Sequence, residues 1–158
     1  MITNRRIISA QQAAEWRQRV KGSVVFTNGV FDILHSGHVA LLEAARAEGD
    51  ALIVGINDDE SAESLDKGNG RPFIAALDRA KVLCGLRAVD RVVLFSEPTP
   101  AKLIKLLKPD VLVKGGDYAA REIPGADLVE KWGGRVVLVA YQDGKSTTEI
   151  ARRIRAAS

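Results

Sequence analysis

Ser23-Val-Val-Phe-Thr-Asn-Gly-Val-Phe-Asp-Ile-Leu-His-Ser-Gly-His38 decides how this chain folds. Its first part, Ser23 to Asn28, is a β-branched, apolar run between Gly22 and Gly29, as expected of a strand buried on both faces. Its last part opens a helix from about Gly37 to Ala47, with Val39, Leu41, Leu42 and Ala45 apolar. Ala51-Leu-Ile-Val-Gly-Ile56 then reads as a second strand, completing a strand, helix, strand unit.

Outward from that unit the alternation persists. Asp59 to Leu65 reads as a short helix, Asp66 to Pro72 as a glycine-rich loop, and Leu77 to Leu86 as another helix. Arg91 to Phe95 is a strand, Thr99 to Leu107 a helix, and Asp110 to Val113 a strand after the helix-stopping Pro109. Gly125 to Trp132 is helical, Arg135 to Ala140 a fifth strand, and Ser146 to Ala156 the final helix. Upstream, Ser9 caps a helix with Ala13, Trp16 and Val20 on one face, so residues 1–22 are expected as an N-terminal helical appendage to a domain spanning 23–158. The pattern predicts an α/β fold: a doubly wound, Rossmann-like, five-stranded parallel sheet with helices on both faces. Ligands bind such sheets beyond the carboxyl ends of the strands, which directs attention to the loops after residues 28, 57, 94, 113 and 140.

Composition narrows the function. A chain of 158 residues, 46% of them apolar, suits one domain with its own core. No stretch approaches the roughly 18 consecutive apolar residues of a membrane span, and the opening residues lack a secretory apolar segment. The single cysteine, Cys84, sits among Val82, Leu83 and Leu86 and reads as a buried structural thiol, so the expected compartment is cytoplasmic. The 23 basic residues are interspersed with 20 acidic ones, giving a net charge of +3 without a polyanion-binding stripe. Neither nucleic acid nor membrane is therefore an expected partner; a few cations at one cleft would instead steer a small phosphorylated ligand.

Both histidines of the chain, His35 and His38, lie in the loop after the first strand, three residues apart at a helix start. That spacing places the imidazoles near one face, beside N–H groups that favour an anion. Gly29 is expected to turn the chain off the strand and Gly37 to let a ligand approach the backbone. A zinc site would need a third ligand, and Cys84 falls on a different helix. No G-x-G-x-x-G follows a predicted strand, and a P-loop ending at Lys145-Ser146 would require glycine where Val139 stands. Ser146-Thr-Thr-Glu149 reads as a capping box.

Gly29-Val-Phe-Asp-Ile-Leu-His-Ser-Gly-His38 resembles the G-x-F-D-x-x-H-x-G-H signature of the cytidylyltransferase-like nucleotidyltransferases at every fixed position. The resemblance implies that His35 and His38 are catalytic, hydrogen-bonding a triphosphate and stabilising charge on the departing pyrophosphate. It implies nucleotide contacts for Asn28, Gly29, Val30, Phe31 and Gly37, and a substrate contact for Asp32. Gly144-Lys-Ser-Thr-Thr148 looks like the family's G-x-S-T-T element, which adds Gly144, Ser146, Thr147 and Thr148 to the nucleotide site. Lys114-Gly-Gly-Asp-Tyr118 is similar to its K-G-x-D-Y element, so Lys114, Gly115 and Asp117 hold the nucleotide, with Lys114 also on the incoming phosphate. Lys67 corresponds to a loop lysine that contacts phosphates of both substrates, and is assigned catalytic and substrate-binding roles; Arg71 beside it is assigned to the substrate. Arg79 and Arg87, taken to share one helix, resemble paired arginines aimed at the site, Arg79 as catalytic and Arg87 as substrate-binding. No residue is assigned as a metal ligand.

Leu65 to Pro72, Leu86 to Pro100 and Lys108 to Tyr118 together look like the heptose 1-phosphate adenylyltransferase branch of that family. This implies transfer of AMP from ATP, with Mg2+, to D-glycero-β-D-manno-heptose 1-phosphate, a small-molecule sugar phosphate. In many bacteria that activity is fused to a sugar kinase; with no kinase stretch in the sequence, the resemblance implies a transferase supplied by a separate one. A homodimer is the family's habit. Glycerol-3-phosphate cytidylyltransferases carry arginine where Tyr141 stands, which weakens a CTP reading. A non-catalytic nucleotide-binding regulator is the remaining alternative, opposed by the intact set of His35, His38 and Lys114.

Overall fold

The computed structural model describes residues 5–65, 70–116, 122–140 and 146–157. Five parallel strands, β1 (Val24–Gly29), β2 (Ala51–Asn57), β3 (Arg91–Phe95), β4 (Val111–Gly115) and β5 (Arg135–Val139), form one sheet in the order β3-β2-β1-β4-β5. From β1 the chain winds outward through β2 to β3, then crosses back to place β4 on β1's other side. The strand order thus reverses between β1 and β4, and a crevice opens beyond their carboxyl ends.

Side chains alternate across each strand, so the sheet sorts its apolar residues onto two faces. Val25, Leu52, Val54, Ile56, Val92, Val111 and Val113 pack against helices α2 (Ser36–Ala47) and α4 (Ala76–Cys84), meeting Leu42, Ala45, Ala80 and Leu83. Val24, Phe26, Ile53, Val93 and Leu112 pack against α1 (Ala10–Arg19), α5 (Ala101–Leu107) and α6 (Ala126–Lys131), meeting Ala13, Leu103, Ile104, Leu107 and Val129. Two short packed layers thus share one sheet, and each fully buried Leu or Ile contributes roughly 1.5–3 kcal/mol. Two further helices, α3 (Asp59–Ser64) and α7 (Thr147–Ala156), lie nearer the carboxyl edge.

Two expectations are corrected. β5 is not covered on both faces: all five of its residues are half-buried or exposed, Leu138 at 41%, because it is the outer strand beyond β4. At α7 only half of the capping box forms. Ser146 Oγ accepts the Glu149 N–H at 3.1 Å, but the Glu149 carboxylate turns to Arg152, with contacts of 2.8 and 2.6 Å. The reciprocal box occurs instead at α1, between Ser9 and Gln12.

The opposite outer strand, β3, is extended by the segment ahead of α1. Ile8 N–H donates to Val92 O at 3.0 Å and Val92 N–H to Arg6 O at 2.9 Å, which occupies backbone groups an edge strand would otherwise expose. At the amino edge of the sheet, aspartates receive the N–H groups with which strands begin. Asp50 takes Ser23 N–H at 2.8 Å, Asp110 takes Val24 N–H at 2.7 Å, and Asp90 takes Leu52 N–H at 2.8 Å. Asp110 also holds Arg17 of α1 at 2.8 Å.

Candidate active site

Between β1 and α2 the chain makes its turn at Phe31 and Ile33, with φ of 55° and 45°, and not at Gly29 as the sequence suggests. Left-handed backbone at a β-branched residue costs energy and persists only where the surroundings hold it. Asp32, between the two and 2% exposed, does the holding. Its carboxylate accepts Phe73 N–H at 2.9 Å and Ile74 N–H at 3.0 Å, clamping this loop to the one before α4. Gly29 serves a different purpose: a Cβ there would lie 3.1 Å from the Phe31 ring.

His35 is the N-cap of α2, its Nδ1 accepting Gly37 N–H at 3.1 Å. That bond puts the proton of the neutral ring on Nε2. His38 stacks on it with ring centroids 3.8 Å apart, and Phe31 meets His38 edge-on at 5.1 Å. The strained turn therefore delivers an aromatic ring that fixes the His38 plane, and the two imidazoles stand together at the start of α2.

The tip of α7 reaches the same loop. Thr147 Oγ1 donates to the Asp32 carbonyl oxygen. Arg71 donates to Thr148 Oγ1 at 3.1 Å, while its Nε lies 3.6 Å from the Asp32 carboxylate. Asp32 thus ties the histidine loop to the Ser146–Thr148 turn, and two helix N-termini meet beyond β1 where an anion gains from both. Asp32 and Arg71, read from sequence as substrate contacts, are linked here to the protein's own loops.

Arg79 sits deeper than its sequence assignment implies. It is 2% exposed, and its guanidinium donates to Val30 O at 2.6 Å, Asn57 O at 3.0 Å, Ile74 O at 2.8 Å and Asp59 Oδ1 at 2.8 Å. These bonds brace the loops after β1 and β2 against α4. Asp59 also accepts Ala76 N–H at 2.9 Å, capping α4 in place of Ala75. Arg87 does not share that helix. Because α4 ends at Cys84, Arg87 lies exposed in the turn leading into β3, at the amino edge of the sheet and away from the site.

On the other side of β1, Lys114 at the end of β4 donates to Asn28 O at 3.2 Å and lies 3.5 Å from Asn28 Oδ1. A cavity of about 330 Å³ opens here, bounded by Asn28–Val30, Asn57, Leu65, Lys114, the Pro98–Pro100 turn before α5 and the Glu122–Pro124 segment before α6. Gly115 ends β4 at the same edge, and Gly116 N–H is held by Val139 O at 3.0 Å. Lys67, Asp117, Tyr141 and Gly144 lie outside the described residues. Asn57, Asp59, Thr99 and Glu122 escape the sequence reading. The signal for Asn57 is there, a polar residue closing an apolar strand, but Thr99 and Glu122 carry no pattern of their own.

Residues 26–153 match the family model described as cytidylyltransferase-like. The chain is 53% identical over 146 residues to the bifunctional protein HldE of Magnetococcus marinus, and 55% over 154 residues to that of Gluconacetobacter diazotrophicus. Those alignments cover 92% and 96% of this chain but only 30% and 32% of the relatives, so the chain spans about a third of their length. Among solved structures, a lipopolysaccharide core biosynthesis protein of Thermoplasma volcanium superposes with a TM-score of 0.62 at 30% identity, over 77% of this chain and 98% of that one. A pantoate-beta-alanine ligase of Francisella tularensis shares the fold, with a TM-score of 0.62 at 16% identity over 94% of this chain and 76% of that one.

Proposed function

Since the chain belongs to the cytidylyltransferase-like family, we propose that it transfers AMP from ATP to D-glycero-β-D-manno-heptose 1-phosphate, giving ADP-heptose and pyrophosphate. The observation that carries this reading is the union of the His35–His38 pair with the α7 tip through Thr147 and Asp32. The identity to HldE proteins over most of the chain directs it toward adenylyl transfer to a heptose.

In this reaction an oxygen of the acceptor phosphate forms a bond to the α-phosphorus. The bond from that phosphorus to the bridging oxygen breaks, and its electron pair leaves with pyrophosphate. The attacking oxygen is already anionic at neutral pH, so no general base is needed; positioning and electrostatics supply the catalysis. His35 and His38 donate to the triphosphate, and the opening N–H groups of α2 and α7 add to the field it meets. Lys114 offsets charge on the side from which the acceptor comes. Arg79 and Asp32 hold the loops that present these groups.

Among the described residues, no three His, Cys, Asp or Glu side chains gather into a metal cluster. A Mg2+ ion arriving with the triphosphate would, when bound, neutralise charge on the departing group. The test is pyrophosphate release from each nucleotide and acceptor pair. Turnover with ATP and heptose 1-phosphate is expected; turnover with CTP and glycerol 3-phosphate alone would overturn the assignment, and nucleotide binding without any turnover would favour a regulator.

A further inference from the structure

Ser61 has one hydroxyl proton and two neighbours near enough to take it. Its Oγ donates to Glu97 O at 3.0 Å, and Asn57 Nδ2 lies 2.8 Å from the same Oγ. A backbone carbonyl can only accept, so the proton is committed to Glu97 and Ser61 offers Asn57 nothing but a lone pair. The end of the Asn57 amide that meets Ser61 must therefore be the NH2 group, and the carbonyl end, Oδ1, is turned the other way. The two ends of an amide have nearly the same shape and opposite hydrogen-bonding character; here a serine proton decides between them.

The surroundings hold this arrangement still. Asn57 is 2% exposed and Ser61 4%. Asn57 ends β2, and its backbone oxygen accepts from Arg79 at 3.0 Å. Ser61 lies in α3, whose N-cap Asp58 accepts Ser61 N–H at 2.8 Å, while Asp58 N–H donates to Phe95 O, at the end of β3, at 3.0 Å. The loops after β2 and β3 are thus stitched together behind Asn57. Asn57 lines the 330 Å³ cavity, whereas Ser61 and Glu97 do not, so Oδ1 is the end of the amide presented to it.

We propose that Ser61 is a positioning residue and Asn57 a specificity-determining one. The relay from Glu97 O through Ser61 fixes Asn57 Oδ1 as a neutral oxygen that demands an O–H donor from the sugar phosphate beside it. The inference rests on the adenylyl transfer proposed above and adds the contact by which one sugar hydroxyl is told from a group that only accepts. A carboxylate at position 57 would also take a hydroxyl, but it would oppose phosphorylated substrates; an amide free to turn would bond either kind of group. A neutral amide held in one orientation avoids both. A ligand that sets a non-donor against Oδ1 leaves that oxygen buried without a partner, a mismatch that hydrogen-bonding sites reject.

The experiment is calorimetric titration of the whole chain, with a non-hydrolysable ATP analogue present, by heptose 1-phosphate and by analogues in which one hydroxyl at a time is replaced with fluorine, which cannot donate. In the wild type at least one analogue is expected to bind on the order of tenfold more weakly than the parent sugar. In Ser61→Ala, where the amide can turn its nitrogen forward, the loss for that analogue should shrink to about threefold or less. Asn57→Leu, which removes the amide at similar volume, should abolish the same loss, and it decides the matter should Ser61→Ala fail to fold. A merely structural role for Ser61 would weaken every sugar alike and leave the ratio of analogue to parent untouched. A ratio unchanged in either variant, or a wild type that binds all the sugars alike or none of them, overturns the proposal. A wild type that shows the Ser61-dependent loss yet releases no pyrophosphate from ATP and heptose 1-phosphate supports the relay and overturns the reaction.

Discussion

The hydroxyl of Thr147, first residue of the last helix, donates to the carbonyl oxygen of Asp32, 115 residues earlier in the chain. This bond joins the tip of the last helix to the loop that carries the histidines, so the two cannot be displaced independently. Thr147→Val keeps the shape and removes the donor. Stability should fall by about 1–3 kcal/mol, the cost of leaving a buried acceptor unpaired, and KM for the nucleotide should rise. Thermal unfolding and initial rates check both; an unchanged KM would detach Thr147 from nucleotide binding.

His35 caps α2 and, in the proposed reaction, faces the triphosphate; the two tasks can be separated. His35→Asn retains a side chain able to cap a helix, and should keep most of the stability while kcat falls on the order of a hundredfold or more. His38→Ala, which removes the stacked ring, should lose activity on the same scale. Near-normal kinetics in either variant would discredit the assigned role.

Arg79 is expected to behave as a brace. Arg79→Met should destabilise the protein by at least about 2 kcal/mol, because buried carbonyls left without donors cost about 1–3 kcal/mol each. The melting temperature should drop together with kcat, since Val30 and Asn57 lose their common anchor. A loss of substrate affinity at unchanged melting temperature would show direct substrate contact instead.

Burial pushes the Cys84 thiol above its ordinary pKa, against a smaller opposing effect of Arg6 and Arg91. The native state thus favours the neutral thiol. The stabilisation is complete below the unfolded thiol's pKa and is lost as pH rises through the higher folded one. Denaturant midpoints should therefore decline on the alkaline side, less steeply in Cys84→Ala. Iodoacetamide at pH 8 should label Cys84 only after unfolding; rapid labelling of the native protein would contradict its burial.

The sheet could be read from residues alone because buried parallel strands are apolar runs with sharp ends. Val24–Gly29 and Arg91–Phe95 needed nothing beyond that. The site was less legible. The histidine pair and the Ser146–Thr148 turn are local patterns, but an arginine on a helix looks the same whether it meets water or four protein oxygens. The burial of Arg79 was hidden for that reason. The turn at Phe31 and Ile33 was equally hidden, because the force holding it comes from Asp32 bonding to residues 73 and 74.

Asp50, Asp90 and Asp110 fasten the strands at one rim of the sheet, while the proposed site lies at the other. A separation of this kind lets the loops ahead of α5 and α6 diverge, or be redesigned for a different acceptor, without loosening the anchors that set strand register. New specificities on this scaffold are therefore best sought by varying the Pro98–Pro100 and Glu122–Pro124 segments and leaving those three carboxylates alone.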